Sequence, residues 1–203
     1  MGLACAAAVP SNARAPSEGE LENGHAGNGD AENGYAGNGE LEPEHREYQI
    51  KAAFLLNFIR YTTWPAECFP DAEAPVVLTV VGRDPFGAIL EETFEGEQAN
   101  GRRVVIVRTR EVPAELTGHV VFCADLPRSA REKLLAAARR RALLLVGETT
   151  DFAADGACIN FYLEDKKTRF EVNTDALAAA RLVISPAVLK LAKIVKSRRE
   201  ERR

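Results

Sequence analysis

The sequence has few of the residue types on which most catalytic and metal sites depend. It contains 3 histidines and 4 cysteines among 203 residues, and His25 and His45 lie in or beside a segment too polar to fold. No Gly-x-Ser-x-Gly elbow, Walker loop, His-Glu-x-x-His pair or Cys-x-x-Cys motif is present. We therefore predict no catalytic site, no metal ion and no cofactor. The remaining histidine, His119, is expected at a strand start in a hydrogen-bonded structural role.

Long apolar runs and an excess of positive charge are also missing. No run approaches the roughly 20 residues that a membrane-spanning helix requires. The formal net charge is −4, and basic residues cluster only at 139–141 and 196–203, where we expect solvated helix ends. These features argue against nucleic acid as a partner.

The first 15 residues resemble the end of an export signal. Residues 3–9 are a short apolar run, and residues 13–15 (Ala-Arg-Ala) have the small-x-small form of a cleavage site. We interpret 1–15 as the remnant of a secretory signal that starts upstream; the alternative is an unstructured alanine-rich terminus. Cys5 follows Gly-Leu-Ala, which fits a lipoprotein acceptor poorly, so lipid anchoring is not expected.

A polar repeat separates this segment from the rest of the chain. Residues 16–45 are mostly Gly, Asn, Glu and Ala, and a ten-residue unit at 22–31 recurs at 32–41. Such a segment buries too little apolar surface to offset its ordering entropy, which predicts a flexible acidic tether. We assign 46–196 to one domain and 197–203 to a charged tail.

The domain alternates helical and strand patterns. Residues 48–61 have helical spacing, and 75–81 read as a buried strand. Asp84 and Pro85 then have the character of a helix N-cap and first helical residue, for a helix reaching 94. Further strands are predicted at 103–107, 119–123 and 142–146, with helices at 127–140 and 149–153.

The C-terminal part is predicted to close the sheet with a hairpin. Two strand patterns, 157–163 and 168–172, are joined by a polar turn, and helices are predicted at 175–182 and 186–196. The expected fold is α/β with three layers: a mainly parallel sheet, helices on both faces and an antiparallel C-terminal hairpin strand.

A crevice is expected beyond the carboxyl ends of the parallel strands, where ligands bind in open α/β sheets. Its lining would be Arg83, Asp84, Asp125, Glu148, Thr149 and Asp151. This group is mixed in charge, as is any α/β rim. A small-molecule site and an ordinary rim both stay open.

The cysteines do not define a disulfide. An exported protein permits disulfides, but Cys123 and Cys158 are predicted on strands that are not neighbours, and a bridge requires Cα atoms within about 7 Å. Cys68 could meet either one. No pairing is predicted.

Five segments, in order along the chain, resemble the YfiR family. They are Tyr48-x-x-Lys51-Ala-Ala-Phe54-Leu-x-Asn57-Phe58-x-Arg60-Tyr-x-x-Trp64-Pro65, Gly82-x-Asp84-Pro85-Phe86-Gly87, Phe152-x-x-x-Gly156-x-x-Ile159-Asn160-Phe161, Arg169-Phe170-Glu171-Val172-Asn173 and Ser185-x-x-Val188-Leu189-Lys190-Leu191-Ala192. No single segment is specific, but the ordered set spans nearly the whole domain.

The resemblance implies an exported, periplasmic α/β domain without enzymatic activity. The best-known members bind the periplasmic region of an inner-membrane diguanylate cyclase and hold it inactive, which restrains cyclic-di-GMP signalling and biofilm formation. Release comes from an outer-membrane lipoprotein or from redox change. The sheet-linking cysteines of YfiR itself have no clear counterpart here, so disulfide-based control does not carry over. A homodimer and a small-ligand sensor that reports to a membrane partner are left open.

Glu171, Asn173 and Arg181 are the predicted partner-binding residues. Glu171 and Asn173 alternate with apolar neighbours on the last predicted strand, so their side chains share one face. They would either form a surface patch with Arg181 or satisfy buried backbone groups.

Overall fold

A long amphipathic helix opens the domain. In the computed structural model, which describes residues 42–198, α1 runs Pro43–Arg60 and places Pro43 in its first turn, where proline's missing N–H costs no helical bond. Its buried face includes Leu55, Phe58 and Ile59. Because α1 begins at Pro43, the boundary predicted between 45 and 46 falls inside this helix. The signal remnant at 1–15, nearly all of the tether and the end of the charged tail lie outside the described residues.

The remaining elements alternate as a mixed α/β chain. The strands are β1 (Thr62–Thr63), β2 (Val76–Gly82), β3 (Gln98–Ala99), β4 (Arg102–Thr109), β5 (Val120–Ala124), β6 (Leu144–Gly147), β7 (Ile159–Glu164), β8 (Lys167–Asn173), β9 (Val183–Ile184) and β10 (Lys193–Val195). The later helices are α2 (Ile89–Phe94), α3 (Arg128–Ala138), α4 (Phe152–Asp155), α5 (Thr174–Ala179) and α6 (Pro186–Leu189), and a 3-10 turn spans Ala66–Cys68.

Within residues 42–198, the main sheet has eight strands in the order β10-β8-β7-β6-β5-β2-β4-β3. The pairs β4–β2, β2–β5, β5–β6, β6–β7 and β8–β10 are parallel, whereas β7–β8 and β3–β4 are antiparallel. Asp165 and Lys166 connect β7 to β8, both with positive φ, as a two-residue hairpin turn of type I′ requires. The mixed α/β class and the mostly parallel sheet are confirmed.

Two apolar clusters hold the sheet. Leu78 and Val80 of β2 belong to the cluster that includes α1, whereas Val81 belongs to the cluster that includes Leu134 of α3. Side chains of adjacent strand residues point to opposite faces, so this alternation buries both sides of β2. The three-layer arrangement as a whole stays a prediction.

Two predicted helices are wrong in part. The predicted helix 186–196 stops at Leu189, and Lys193–Val195 instead form β10, because the β-branched Ile194 and Val195 pair with Val172 and Asn173 of β8. The helix predicted after Asp84 begins only at Ile89, with Ala88 as its N-cap. Asp84 caps the preceding turn instead, where its Oδ1 accepts from the Phe86 N–H at 2.9 Å.

The domain cysteines are buried. Cys123 and Cys158 are free thiols, and burial raises the pKa of Cys123 to about 12 and that of Cys158 to about 11. Both therefore stay protonated near neutral pH, and a thiol in that state is a poor nucleophile. Among the helices between residues 42 and 198, none combines the length and the apolar character that crossing a membrane demands.

Candidate functional site: a crevice at the carboxyl ends of the strands

The carboxyl ends of β2, β5 and β6 open into a crevice of about 1130 Å³. Arg83 and Asp84 follow β2, Asp125 follows β5, and Glu148 and Thr149 follow β6. The three strands are parallel neighbours, so these loops meet at one edge of the sheet. The sequence-predicted lining is therefore brought together, and Asp151 also lies on it. What the crevice binds stays a prediction.

A glycine brings the loops after β2 and β5 close together. Gly82 has φ of +110°, and a Cβ at this position would lie 1.8 Å from the Ala124 carbonyl oxygen. Only glycine permits this approach of β2 to the end of β5. The contact sets the loop that carries Arg83 and Asp84 beside the loop that carries Asp125.

Arg108 of β4, which does not line the crevice, holds the loop that contains Asp84. Its Nε donates to Asp84 Oδ2 at 2.6 Å, and its Nη2 donates to the Gly87 carbonyl at 2.9 Å. Nη1 donates to Glu91 Oε1 at 2.6 Å, which lowers the pKa of Glu91. One guanidinium thus ties the turn after β2 to both β4 and α2.

Helix α1 forms one wall of the crevice, and a buried ion pair joins it to the loop after β6. Lys51 is 5% exposed, and its Nζ lies 2.6 Å from Glu148 Oε2 and 2.5 Å from Glu47 Oε1. The Tyr48 ring lies beneath this ammonium, with Nζ 4.4 Å from its centroid, and Tyr48 OH donates to Glu148 Oε1 at 3.2 Å. Burial and the negative charge of Glu148 raise the Tyr48 pKa, so the hydroxyl keeps its proton and stays a donor.

Strand β7 forms another wall of the crevice, because it begins where β6 ends. Asn160 pairs in register with Gly147, the last residue of β6, so the following residues of β7 extend past the end of β6. Asn160 also lies opposite Glu171 of β8, which in turn lies opposite Lys193 of β10. Lys193 Nζ donates to Glu171 Oε1 at 2.8 Å. All three residues line the crevice.

Asn160 differs from the other polar residues of the crevice. It is 2% exposed, and within the described part of the chain its Oδ1 has no hydrogen-bond partner. The polar groups of Lys51, Tyr48 and Glu148, in contrast, are bonded to one another.

The predicted partner-binding surface of Glu171, Asn173 and Arg181 does not exist as one patch. Asn173 is fully buried: its Oδ1 accepts from the N–H groups of Asp175 and Ala176, and its Nδ2 donates to the Ala153 carbonyl. It caps α5 and so has the alternative predicted role, that of satisfying buried backbone groups. Glu171 lines the crevice instead.

Arg181 lies in a separate surface pair. Its Nη1 donates to Glu67 Oε1 at 2.7 Å, and both side chains are more than half exposed. Arg181 follows α5 (Thr174–Ala179) and pairs with Glu67, whereas Glu171 lies on β8 and pairs with Lys193.

Tyr48, Lys51, Asn160 and Lys193 were not predicted as site residues. The first three occur in the quoted family segments, but there they have no signal beyond helix and strand periodicity. Their place in the crevice depends on the register of β7 against β6 and on the packing of α1, neither of which periodicity encodes. Lys193 was assigned to a helix and could not be placed.

His119 has the predicted structural role at the opposite end of the strands. Its Nδ1 accepts from the Val77 N–H at 3.1 Å, and Nε2 lies 3.2 Å from the Cys68 carbonyl, where it donates as the neutral tautomer. The ring stacks on Phe69 with centroids 4.3 Å apart. Burial is the main reason that the His119 pKa is lowered.

The crevice has no arrangement typical of a metal centre. Between residues 42 and 198, no three His, Cys, Asp or Glu side chains are grouped so that they could hold a metal ion. The crevice is a charged, concave surface. Ion pairs join Lys51 to Glu148 and Lys193 to Glu171, and the side-chain oxygen of Asn160 makes no hydrogen bond within the described residues.

Comparison with known proteins identifies the family. No curated protein matches the chain. The sequence profile described as YfiR/HmsC-like matches residues 48–193, which is more than half of the chain and includes α1, the sheet and the start of β10. The chain therefore belongs to the YfiR/HmsC-like family.

Proposed function

We propose that this protein is a periplasmic, non-catalytic regulator that binds and represses a membrane-bound diguanylate cyclase and so restrains cyclic-di-GMP signalling and biofilm formation. The family match over residues 48–193 carries this proposal. The predicted secretory remnant at 1–15 and tether at 16–45 are consistent with export, and release by an outer-membrane lipoprotein belongs to the same proposal.

The state of His119 supports a non-catalytic role. Both ring nitrogens are engaged with main-chain groups, and the ring is 3% exposed. A general base must reach the proton that it removes, and this imidazole reaches only its own backbone partners.

The test is cellular cyclic-di-GMP in the source bacterium with the gene deleted and then restored. Deletion is expected to raise the nucleotide, and an exported copy is expected to lower it again. A matched copy without its export segment is the control and should not restore repression. Unchanged cyclic-di-GMP under several growth conditions would reject the repressor role while leaving the fold assignment intact.

Arg181 can be tested as part of the partner surface. Arg181→Ala is expected to weaken repression if this residue contacts the partner. It should not lower the melting temperature, because within residues 42–198 the Arg181 side chain forms an exposed ion pair with Glu67 and no other side-chain bond. Arg169→Ala is the matched control, since Arg169 is also about half exposed and also faces a glutamate, Glu164, on the β7–β8 hairpin. Equal loss in both variants would argue against a specific role for Arg181.

Glu171→Ala tests whether Glu171 contacts the partner or stabilises the fold. If Glu171 binds the partner, the variant weakens repression at an unchanged melting temperature. A fall in melting temperature would instead assign Glu171 to holding β10 through Lys193.

A second candidate function is a small-ligand sensor that reports to a membrane partner. The observation that favours it is the concave, charged crevice of about 1130 Å³ at the carboxyl ends of the parallel strands. A ligand that binds only the native state raises the melting temperature of the purified protein, which distinguishes this candidate from a pure protein-binding module.

A further inference from the structure

The two edges of the main sheet differ in how well they are protected from pairing with a further strand. One edge is β10, which is three residues long and begins with Lys193. The other edge is β4, which pairs with β2 along one side, while β3 covers only Arg102 and Arg103 on the outer side. Residues 104–109 of β4, which we call the open edge, therefore have no strand on their outer side within residues 42–198.

The open edge is apolar where it is most accessible to another strand. Its first four residues are Val104, Val105, Ile106 and Val107, and Val107 is 43% exposed. Natural proteins protect such edges with lysine, proline, a bulge or a very short strand, because the unpaired N–H and C=O groups accept a further strand. This run has no charge and no proline, and its register with β2 is continuous. An unprotected edge of this kind indicates a site for an added strand.

The geometry of the edge selects one register for a second copy. In an antiparallel pair of identical strands, opposite side chains point to the same face, so one residue lies opposite its own copy on the two-fold axis. If that residue were Ile106, Thr109 of the other copy would lie beside Arg103, a position that β3 already occupies. If it is Val107, the pairing covers residues 105–109 and clears β3.

The side chains that meet in this register are compatible. On one face Val107 packs against its own copy and Val105 packs against Thr109, so the cross-strand pairs are all β-branched. On the other face Ile106 lies opposite Arg108, whose guanidinium is already bonded to carboxylates of its own chain. No two like charges lie opposite each other, although like charges in that position would be unfavourable.

The charges beyond the ends of the pairing also favour a second copy. Arg103 lies two residues before residues 105–109 and Glu111 lies two residues after them, and both are exposed. Neither side chain forms an ion pair within the described part of the chain. The two-fold axis brings Arg103 of each copy to the same end of the pairing as Glu111 of the other. A second copy thus supplies the complementary charge at both ends, which is why we assign the open edge to it.

We propose that this protein forms a homodimer in which the open edges of two copies pair antiparallel about a two-fold axis at Val107 and join the two sheets into one. A pairing of five residues buries less area than a standard interface, so the dimer forms and dissociates with concentration. We expect a dissociation constant of about 100 µM or lower. The dimer does not depend on the repression of a cyclase.

The experiment is sedimentation equilibrium of the purified full chain between about 5 µM and 1 mM. The mass is expected to rise from that of one copy to that of two and to stop there, because a two-fold pairing uses both open edges. A mass of one copy at every concentration would overturn the proposal and leave the open edge to a strand of another protein. Growth beyond two copies would also overturn it, since it would mean head-to-tail pairing of β4 with β10.

Val107→Lys tests the residue on the axis. It places two ammonium groups opposite each other at an exposed position, so we expect the dissociation constant to rise about tenfold or more at an unchanged melting temperature. Val183→Lys is the matched control, since Val183 is 66% exposed on β9, which is outside the main sheet, and it should leave the dimer unchanged. Equal affinity in wild type and Val107→Lys, or equal weakening in both variants, would overturn the proposal.

A charge exchange tests the register and stays informative if Val107→Lys does not fold. Arg103→Glu and Glu111→Arg each place like charges at both ends of the pairing, and each is expected to raise the dissociation constant about threefold. The double variant restores opposite charges and is expected to return to within about twofold of the wild type. A double variant as weak as the single ones would mean that these residues do not face each other, and the two-fold pairing at Val107 would be wrong.

Discussion

His119 and Asn160 are both buried polar side chains of the sheet, yet their surroundings are opposite. His119 is 3% exposed at the amino end of β5, and both ring nitrogens are bonded to main-chain groups. Asn160 is 2% exposed beside the carboxyl end of β6, and its Oδ1 is bonded to nothing between residues 42 and 198. The two side chains are equally buried, but only His119 has its polar atoms hydrogen-bonded, so we expect them to contribute differently to the stability of the fold.

The difference separates the surroundings of His119, where both ring nitrogens are hydrogen-bonded, from those of Asn160, where the side-chain oxygen is not. Around His119, the indole Nε1 of Trp64 donates to the His119 carbonyl, and the guanidinium of Arg102 lies 3.9 Å above the Phe69 ring. The side-chain nitrogens of His119 and Trp64 are all bonded to main-chain groups of the domain. The crevice beside Asn160 is held by the ion pairs Lys51–Glu148 and Lys193–Glu171, and the Asn160 oxygen takes no part in them.

The largest expected effect is the loss of stability in His119→Leu. This change removes the acceptor for the Val77 N–H, the donor for the Cys68 carbonyl and the ring that stacks on Phe69. We expect the free energy of unfolding to fall by about 3 kcal/mol, measured by urea denaturation. His45→Leu, in the first turns of α1, is the matched control and should change it by less than about 0.5 kcal/mol. A loss below about 1 kcal/mol in His119→Leu would break the comparison.

The next effect tests Asn173, a buried amide whose bonds are all made. Asn173→Ala removes the cap of α5 and the bond to the Ala153 carbonyl, so we expect a loss of about 2 kcal/mol in urea denaturation. Ser185→Ala is the control: it removes one exposed cap bond of 3.3 Å to Ala187 and should cost about 0.5 kcal/mol. If the two variants lose equal stability, the buried bonds of Asn173 add nothing beyond an ordinary cap.

The pH dependence of stability sharpens the assignment of His119. Burial lowers the folded-state pKa of His119, so the unfolded chain binds a proton at higher pH than the folded one. Its contribution is complete above the unfolded pKa of about 6.5 and is lost as pH falls below that value. The slope attributable to this residue is at most about 1.4 kcal/mol per pH unit.

The measurement is urea denaturation of the wild type and of His119→Leu between about pH 8 and pH 5. The wild type is expected to lose stability as pH falls through about 6.5, and the variant is expected to show a flatter curve over the same window. Curves that stay parallel, or a wild type that gains stability at low pH, would contradict the buried neutral imidazole.

Periodicity predicted much of the fold because it reports burial along one element at a time. The buried run of β2 and the helical spacing of α1 were sufficient to place both elements within a few residues. The last helix was predicted too long. Only Pro186–Leu189 are helical, and the residues of β10 form a strand because they pair with β8. Such pairing is a long-range contact that no local pattern contains.

The crevice was predicted in part for the same reason. Arg83, Asp125 and Glu148 follow strand ends, and the convergence of parallel strand ends is a general property of these folds. Asn160 was missed because its role depends on register: a shift of one residue in β7 would turn its side chain to the other face. Glu171, Asn173 and Arg181 do not lie together on one surface, because alternation predicts which strand residues share a face but not whether that face is exposed to solvent; their contact with a partner stays a prediction.

The smallest expected effect is that of Asn160→Leu on stability, and it is the most direct counterpart to His119→Leu. Removing a buried group whose partner is already absent leaves no other group unsatisfied, and leucine fills a similar volume. We expect the free energy of unfolding to change by less than about 0.5 kcal/mol or to rise slightly, measured by urea denaturation. A loss near that of His119→Leu would mean that the Asn160 amide is bonded within the folded domain, and the contrast between the two ends of the sheet would then have no energetic basis.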